Sequence, residues 1–450
     1  MGHKPPHGPA RPRGGLAGTK HAPPRPVFCL LALVLSSAPV TLDLSVAPDE
    51  AALVNLLWEH APELQLARTR VAAARADAQR AHFLPNPTLD LSANTLPIGA
   101  SNPTDLRDPW ANTPNYAVGV SELIELGKRG PRQEATQQAV VATLYDARAQ
   151  LTERYHDLEE AIGEVAASVR RVAQLTELVG DARRLSEVQR ARADKGDTAL
   201  LDADRAKLEE QKLRASLREQ QARLLANLRT CSQVAGLPCE PFANVEATSA
   251  WLSKLRGEYP MDAVEQRSDV LSLAAAAQSA RASETLARNH AIPDPTLRVG
   301  YVRDQFVVSG NQQNSLFVGL SVPLPLFDHG QADAAAAAVA AEAATRARAE
   351  LVQIGRDAAA RFGAEAASLA ERRAQLTDET LPLARSVVTR LDSAVQRGGA
   401  EIQDLLLARR TLGELLLESA DVDLTAFHLD VERSRTVGRL PVTPPALVLE

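Results

Sequence analysis

Apolar and polar residues alternate with a period of two in four short segments of the chain. The alternation covers residues 88–94, 116–121, 296–301 and 316–322. Successive side chains of a β-strand point to opposite faces, so each segment predicts a strand with one apolar face and one polar or small face. This pattern is typical of a barrel with lipid outside and water inside, and four ordinary half-buried strands are the simpler alternative.

The strand candidates belong to two copies of one longer pattern, which predicts an internal structural repeat. Gly130 and Gly330 occupy equivalent positions in this alignment. The matched pairs are LPNPTLDLS (84–92) with IPDPTLRVG (292–300), YAVGVSELIELGKRG (116–130) with LFVGLSVPLPLFDHG (316–330), and KGDTALLDADRAK (195–207) with RGGAEIQDLLLAR (397–409).

Long tracts without proline predict unusually long helices in both copies. No proline occurs between Pro131 and Pro238, so a helix of roughly 65 residues, on the order of 100 Å, fits before a turn near Gly196. The chain then returns antiparallel, which makes a helical hairpin.

The second copy repeats this hairpin with an interruption. Its first helix is predicted from residue 331 to 380, where Pro382 interrupts it, and continues to residue 396. A helix also leads into each strand pair, at 50–83 and at 269–291.

The N-terminal region resembles an export signal. A basic, Pro/Gly-rich stretch precedes an apolar run at 27–40, which is shorter than the roughly 20 residues of a membrane-spanning helix. We therefore divide the chain into a basic segment with a signal peptide (1–47), a first repeat (48–237), a connector (238–260), a second repeat (261–440) and a C-terminal tail (441–450).

Four strands cannot close a barrel in a membrane. Open sheet edges in lipid would leave backbone groups without hydrogen bonds, at a cost of several kcal/mol each. Three protomers with four strands each would give twelve, which is within the range of known barrels. The predicted fold class is mainly α with a small β part, in which long antiparallel helical hairpins continue the wall of a trimeric, twelve-stranded barrel.

Composition excludes several other classes of function. The net charge of −6 argues against a nucleic-acid partner. The sequence offers no constellation of catalytic nucleophile, base or metal ligands and no phosphate loop, so neither an enzyme nor a cofactor is expected. The histidines, His156 among them, are scattered without ligand spacing and are interpreted as surface or junction residues.

Cys231 and Cys239 lie close together at the end of a helical stretch. In an exported protein such a pair is a candidate for a small disulfide loop, and two free thiols are the alternative.

The motifs LPNPTL and IPDPTL before strands, VSELIELGKRG and LSVPLPLFDHGQ after them, and the Gly-to-Asp hairpin turns resemble the outer membrane efflux protein family, the TolC-like exit ducts. The ELGKRGPR segment together with SVPLPLFDHGQ is most similar to the heavy-metal-cation (CzcC/CusC-like) branch. The resemblance covers nearly the whole chain after about residue 49.

The resemblance implies a homotrimer in outer-membrane lipid with a helical tunnel in the periplasm. It also implies two protein partners, a periplasmic adaptor and an inner-membrane pump of the RND type, which supplies the energy. Drug efflux and type I polypeptide secretion are alternatives within the family. A periplasmic structural coiled-coil protein is the alternative from another class.

Candidate functional residues follow from the same resemblance. Asp404 matches the place of an aspartate ring near the tunnel tip, with Glu401 beside it and Asp202 as its counterpart in the first copy, and Leu407 departs from a second acidic position. Helix N-capping is the alternative role for both aspartates. The turn glycines, which are candidate adaptor contacts, are Gly196, Gly398 and Gly399.

Overall fold

The computed structural model describes residues 41–100, 104, 106–254, 259–305 and 312–448. Within these ranges the protein consists of ten α-helices and one four-stranded antiparallel sheet, so the predicted mainly α fold with a small β part is confirmed. The predicted signal peptide falls largely on residues 1–40, outside the described ranges.

The first half of the chain contains two strands and a long helical hairpin. Its elements are α1 (Glu50–His60), α2 (Pro62–Ala81), β1 (Thr88–Asn94), the short α3 (Pro109–Asn112), β2 (Asn115–Leu123), α4 (Arg129–Asp194), α5 (Leu200–Ala235) and α6 (Val245–Leu252).

The second half repeats the pattern. It contains a 3-10 turn (Met261–Gln266), α7 (Ser268–Arg288), a further 3-10 turn (Asn289–Ala291), β3 (Thr296–Asp304), β4 (Asn314–Ser321), α8 (Gln331–Ala374), a π-helical segment (Gln375–Thr380), α9 (Leu381–Gln396), α10 (Ile402–Thr436) and a last 3-10 turn (Pro445–Leu447).

Two helix boundaries differ from the sequence prediction because of proline. The single helix expected at 50–83 is divided, since α1 ends at His60 and Pro62 begins α2 at a position where its missing N–H costs nothing. The break expected before Pro382 does not occur. The backbone instead widens into the π-helical segment, which passes the chain from α8 to α9 without interruption.

The strand-to-helix turns of the two copies are also built differently. Gly330 is left-handed, with φ +83°, and immediately precedes α8, whereas its sequence equivalent Gly130 lies inside α4. In the first copy Gly127 is left-handed instead, with φ +71°. The equivalence of the two glycines in sequence therefore does not carry over to their conformation.

The main core lies around the middle of α4, a helix of 66 residues. Tyr155, Trp251 and Phe427 are among the largest side chains that are fully buried there. Helices α2, α5, α6, α7 and α10 all contact α4. One buried position corrects an expectation, because His156 lies fully inside this core and not at the surface.

The connector is attached to α5 by a disulfide and to the segment that precedes α1 by a short backbone pairing. Cys231 at the end of α5 is bonded to Cys239. Leu42 pairs with the chain beside Cys239, where its N–H donates to the carbonyl of Pro238 and its carbonyl accepts from Glu240. Among the helices described, none has the length and hydropathy required to cross a membrane.

Arg435 on α10 is surrounded by four carboxylates. Its guanidinium lies 3.1 Å from Asp157, 3.2 Å from Glu160, 3.3 Å from Glu432 and 3.7 Å from Glu153. One positive charge cannot balance four negative ones. Burial, with Glu432 and Asp157 nearby, therefore raises the pKa of Glu160 to about 7, although Arg435 opposes the shift.

We predict that Gly163→Ala destabilises the protein and that Gly180→Ala in the same helix does not. A methyl group at Gly163 would overlap the ring of Phe427, and overpacking of this kind typically costs about 1–3 kcal/mol. At Gly180 the nearest atom is the Arg184 guanidinium at 3.9 Å, so the better helix propensity of alanine should add up to about 1 kcal/mol. Thermal unfolding followed by circular dichroism measures both, and equal midpoints would contradict the packing at Gly163.

We predict that Glu160→Gln raises the unfolding temperature most at high pH. The pKa of Glu160 is higher in the folded chain than the ordinary value of 4.5, so its contribution to stability is present below pH 4.5 and is lost as pH rises through about 7. Glutamine mimics the protonated acid, and its advantage should therefore grow between pH 4.5 and 7.5. Glu342→Gln at an exposed site is the control, and an advantage that is largest in acid would contradict the assignment.

Candidate functional site: the sheet and the hairpin tips

The four strands form one sheet in the order β1-β2-β3-β4, and all neighbours are antiparallel. Leu89 lies opposite Val120, Val120 opposite Val299, and Val299 opposite Val318. Because side chains alternate along each strand, this register collects the apolar residues on one face.

No described residue covers the apolar face of the sheet. Large side chains on the central strands are 38–50% exposed, and those on the outer strands β1 and β4 are 63–81% exposed. Tyr116 and Tyr301 lie at the loop end of this face. The residues are Leu89, Leu91, Tyr116, Val118, Val120, Leu297, Val299, Tyr301, Leu316, Val318 and Leu320.

The opposite face carries small and polar residues. Leu123 and Val302 also lie on this face. Its one aromatic residue among the described strands is Phe317, whose ring lies across two glycines, because a Cβ on Gly300 would be 2.6 Å from ring atoms and one on Gly119 3.1 Å. Arg298 and Asp90 approach within 3.8 Å on the same face. Because these two glycines lack a side chain, the ring of Phe317 can lie flat against the sheet.

The junction between β2 and α4 is held by the turn that leads into β3. Lys128 is buried, and its ammonium lies 2.7 Å from the Asp294 carboxylate and donates to the carbonyl of Ile292, also at 2.7 Å. The N–H of Leu126 donates to Asp294 at 2.9 Å. The amide of Asn289 donates to the carbonyl of Gly127. These contacts join the exit of the first copy to the entrance of the second.

At the far end of the helices, both hairpins turn in the same way. Gly196 and Gly398 are left-handed, with φ +78° and +75°. The N–H of the next residue, Asp197 or Gly399, bonds back to the carbonyl of Arg192 or Ala394. This is the Schellman ending of a helix, which glycine favours because it lacks a Cβ. Gly196 and Gly398 are thus turn formers as predicted, whereas Gly399 is not left-handed.

The two tips lie side by side. Val395, Ile402 and Leu405 form a small apolar cluster into which Leu185 of α4 packs. A groove between the tips is lined by Asp202, Glu401, Arg192 and their neighbours. Two of the three predicted acidic residues are therefore brought together, and Asp404 is not among the described residues that line this groove.

The predicted capping role of the aspartates is wrong. Ala199 and Glu401 occupy the N-cap positions of α5 and α10, and Asp202 and Asp404 each lie three residues later. There they complement the positive end of the helix dipole. Asp202 also lies 3.5 Å from Arg205, while Asp404 and Glu401 are exposed and form no ion pair within the described part of the chain.

Sequence reasoning missed the buried charges of the molecule. Lys128 and Asp294 lie in the motifs that carried the family resemblance, but nothing in their spacing indicated a pair. Glu210 lies in a charged stretch that is typical of a solvated helix face, but its side chain is buried on α5. The Lys207 ammonium lies 2.8 Å from its carboxylate. This hydrogen bond lowers the pKa of Glu210, although burial opposes the shift. Within the described part of the chain, no three or more His, Cys, Asp or Glu side chains are arranged so that they could hold a metal ion.

Comparison with known proteins agrees with this geometry. Residues 53–237 match the family model described as outer membrane efflux protein. Among curated protein sequences, no significant match to the chain was found.

Solved structures with this fold include several channels. The chain is similar to CusC, with a TM-score of 0.70 and 17% identity over 88% of this chain and 93% of that one. It is also similar to the outer membrane protein VceC of Vibrio cholerae (0.67, 18%, 86% and 95%). The open state of the MtrE outer membrane channel of Neisseria gonorrhoeae is a third example (0.67, 14%, 87% and 89%). At these identities the similarity establishes the fold.

Proposed function

We propose that the chain is a member of the outer membrane efflux protein family, whose model matches residues 53–237, and that it is one of three identical subunits of a passive exit duct in the outer membrane. The observation that carries this proposal is the sheet, which has a continuous uncovered apolar face and two open edges. A closed ring of such sheets would place the apolar residues in lipid and every strand edge in a hydrogen-bonded pair.

The helices continue the duct on the periplasmic side. Helix α4 alone has 66 residues, a length on the order of 100 Å, and it begins six residues after β2 ends. The small polar face of the sheet would line the water-filled part of the barrel. A passive duct needs no catalytic residues, and an inner-membrane pump would supply the energy.

Contact with that pump would run through a periplasmic adaptor at the hairpin tips. The two Schellman turns at Gly196 and Gly398 are exposed and lie next to each other. No atom of the described residues lies within 4 Å of a Cβ built at either glycine, so both turns are open to a partner. Two adjacent exposed turns suit a partner that binds through contacts with their backbone.

For the cargo, we propose cations, with heavy-metal ions as the favoured class. The support is three carboxylates near the tips, where Glu401 and Asp404 are exposed and Asp202 lies in the adjoining groove beside Arg192. Three symmetry-related copies would concentrate negative potential in a narrow bore.

Asp404→Asn should lower the preference of the channel for cations over anions in planar bilayers. Three negative charges would be lost at the narrow end, and we expect the cation-to-anion permeability ratio to fall at least about twofold. Asp357→Asn, which removes an exposed charge from the middle of α8, is the matched control. An unchanged ratio in Asp404→Asn would count against an acidic ring at this position.

The cargo itself is tested in cells. Deletion of the gene should reduce tolerance to zinc, cobalt, cadmium or copper, and the intact gene should restore it. Sensitivity to drugs with unchanged metal tolerance would favour drug efflux. A loss of secreted polypeptide without either effect would favour secretion.

A further inference from the structure

The internal repeat determines how the strands pair within one chain. In the β1–β2 hairpin, Leu89 lies opposite Val120, and in the β3–β4 hairpin their repeat counterparts Leu297 and Leu320 lie opposite each other. Thr88 with Ser121 and Thr296 with Ser321 agree in the same way. The two hairpins are therefore the same unit in the same register.

Two such hairpins can pair edge to edge either within one chain or between two chains, and we call this strand pairing a seam. The structure contains the seam within one chain. Between the hairpins, β2 pairs with β3, with Val120 opposite Val299 and Gly119 opposite Gly300. The exit strand of one unit thus meets the entrance strand of the next. Among the described residues, the exit strand β4 and the entrance strand β1 have no such neighbour, and their apolar side chains are the most exposed of the sheet.

We propose that the same seam recurs between protomers, with Leu320 of β4 opposite Leu91 of β1 of the neighbouring protomer, and that Asp328 and the neighbour's Asn86 form a polar pair below it. This inference rests on the proposed trimer and specifies its interface. The partner is a second copy of this chain.

The register follows by replacing each residue of the internal seam with its repeat counterpart. Val120 is replaced by Leu320 and Val299 by Leu91, while Gly119 and Gly300 are replaced by Gly319 and Ser92. The result places Leu320 and Leu91 on the apolar face and Gly319 and Ser92 on the polar face. A slip of one residue would put apolar side chains opposite polar ones, so the agreement of the faces supports the register.

The sequence alignment of the two copies places a polar pair below the seam. Lys128 and Asp294 form the internal ion pair at 2.7 Å, and their counterparts are Asp328 and Asn86. The donor and acceptor roles are exchanged here. Asp328 is an acceptor where Lys128 is a donor, and Asn86 has an amide donor where Asp294 is an acceptor. Asp328 and Asn86 are both exposed in the single chain. One carboxylate oxygen of Asp328 accepts from the N–H of Gly330 at 3.0 Å, and the other is accessible to a neighbour.

The apolar surroundings of this pair are exposed as well. Phe327 is 91% exposed, and Leu326 and Leu324 follow with 75% and 73%. On the entrance side, Phe83 and Leu84 are 70% and 61% exposed. At the internal junction, Leu126 and Ile292, the counterparts of Leu326 and Leu84, are only 40% and 44% exposed. The interface between protomers can thus bury apolar surface that the single chain leaves open.

The test is disulfide trapping in the full chain, purified from membranes in detergent. In Leu91→Cys/Leu320→Cys the two positions lie directly opposite each other across the seam, so oxidation should give covalent dimers and trimers on a denaturing, non-reducing gel. Leu91→Cys/Leu316→Cys is the matched control, displaced by four residues or roughly 13 Å, and should give almost none. Val120→Cys/Val299→Cys should close within one chain.

Two outcomes separate this inference from the function on which it rests. One outcome is a protein that is a trimer by mass and yet crosslinks through Leu91→Cys/Leu316→Cys, or through neither pair. That result overturns the register and leaves the proposed duct intact. A protein that does not form a trimer in detergent overturns both.

The polar pair has a test of its own. Asn86→Asp would bring two carboxylates together and should lower the temperature at which the trimer dissociates by several degrees. Asn86→Asp/Asp328→Lys recreates the Lys–Asp pair of the internal junction and should restore the midpoint. Failure of the double variant to recover, or no loss in Asn86→Asp, overturns the pair.

Discussion

The unpaired backbone groups along β1 and β4 are the constraint on which the rest of the structure depends. The apolar face of the sheet requires a hydrocarbon environment, and in that environment each free N–H or C=O costs several kcal/mol. A sheet of four strands cannot meet both conditions alone. Pairing each edge with the opposite edge of another copy satisfies every group, and a closed ring is the arrangement that leaves no edge.

The helices transmit this arrangement to the other end of the molecule. Each strand pair continues into a helix, and the junction at Lys128 and Asp294 locks the first copy to the second directly below the sheet. Around the middle of α4, fully buried residues such as Tyr155, Trp251 and Phe427 fix the helices relative to one another. The packed helices thereby hold the hairpin tips at Gly196 and Gly398 side by side. Both tips lie far from the strands in sequence and at equivalent places in the two copies.

Much of this architecture could be predicted from the sequence, because it depends on local periodicity. Alternation identified all four strands, and the absence of proline indicated α4 at close to its observed length. What could not be predicted depends on tertiary contacts. A proline pattern does not tell whether the backbone breaks or widens into a π segment, as it does before Pro382. The burial of His156 and the Lys128–Asp294 pair arise only when distant segments meet. At the tips, glycine chemistry predicted the turns, but a ring of aspartates is a property of three chains.

The most direct test of this account is the mass of the full chain extracted from membranes in detergent, measured by native mass spectrometry. The account predicts a particle of three chains that requires detergent to remain in solution. A stable monomer that is soluble without detergent, with β1 and β4 protected by its own fold, would contradict it.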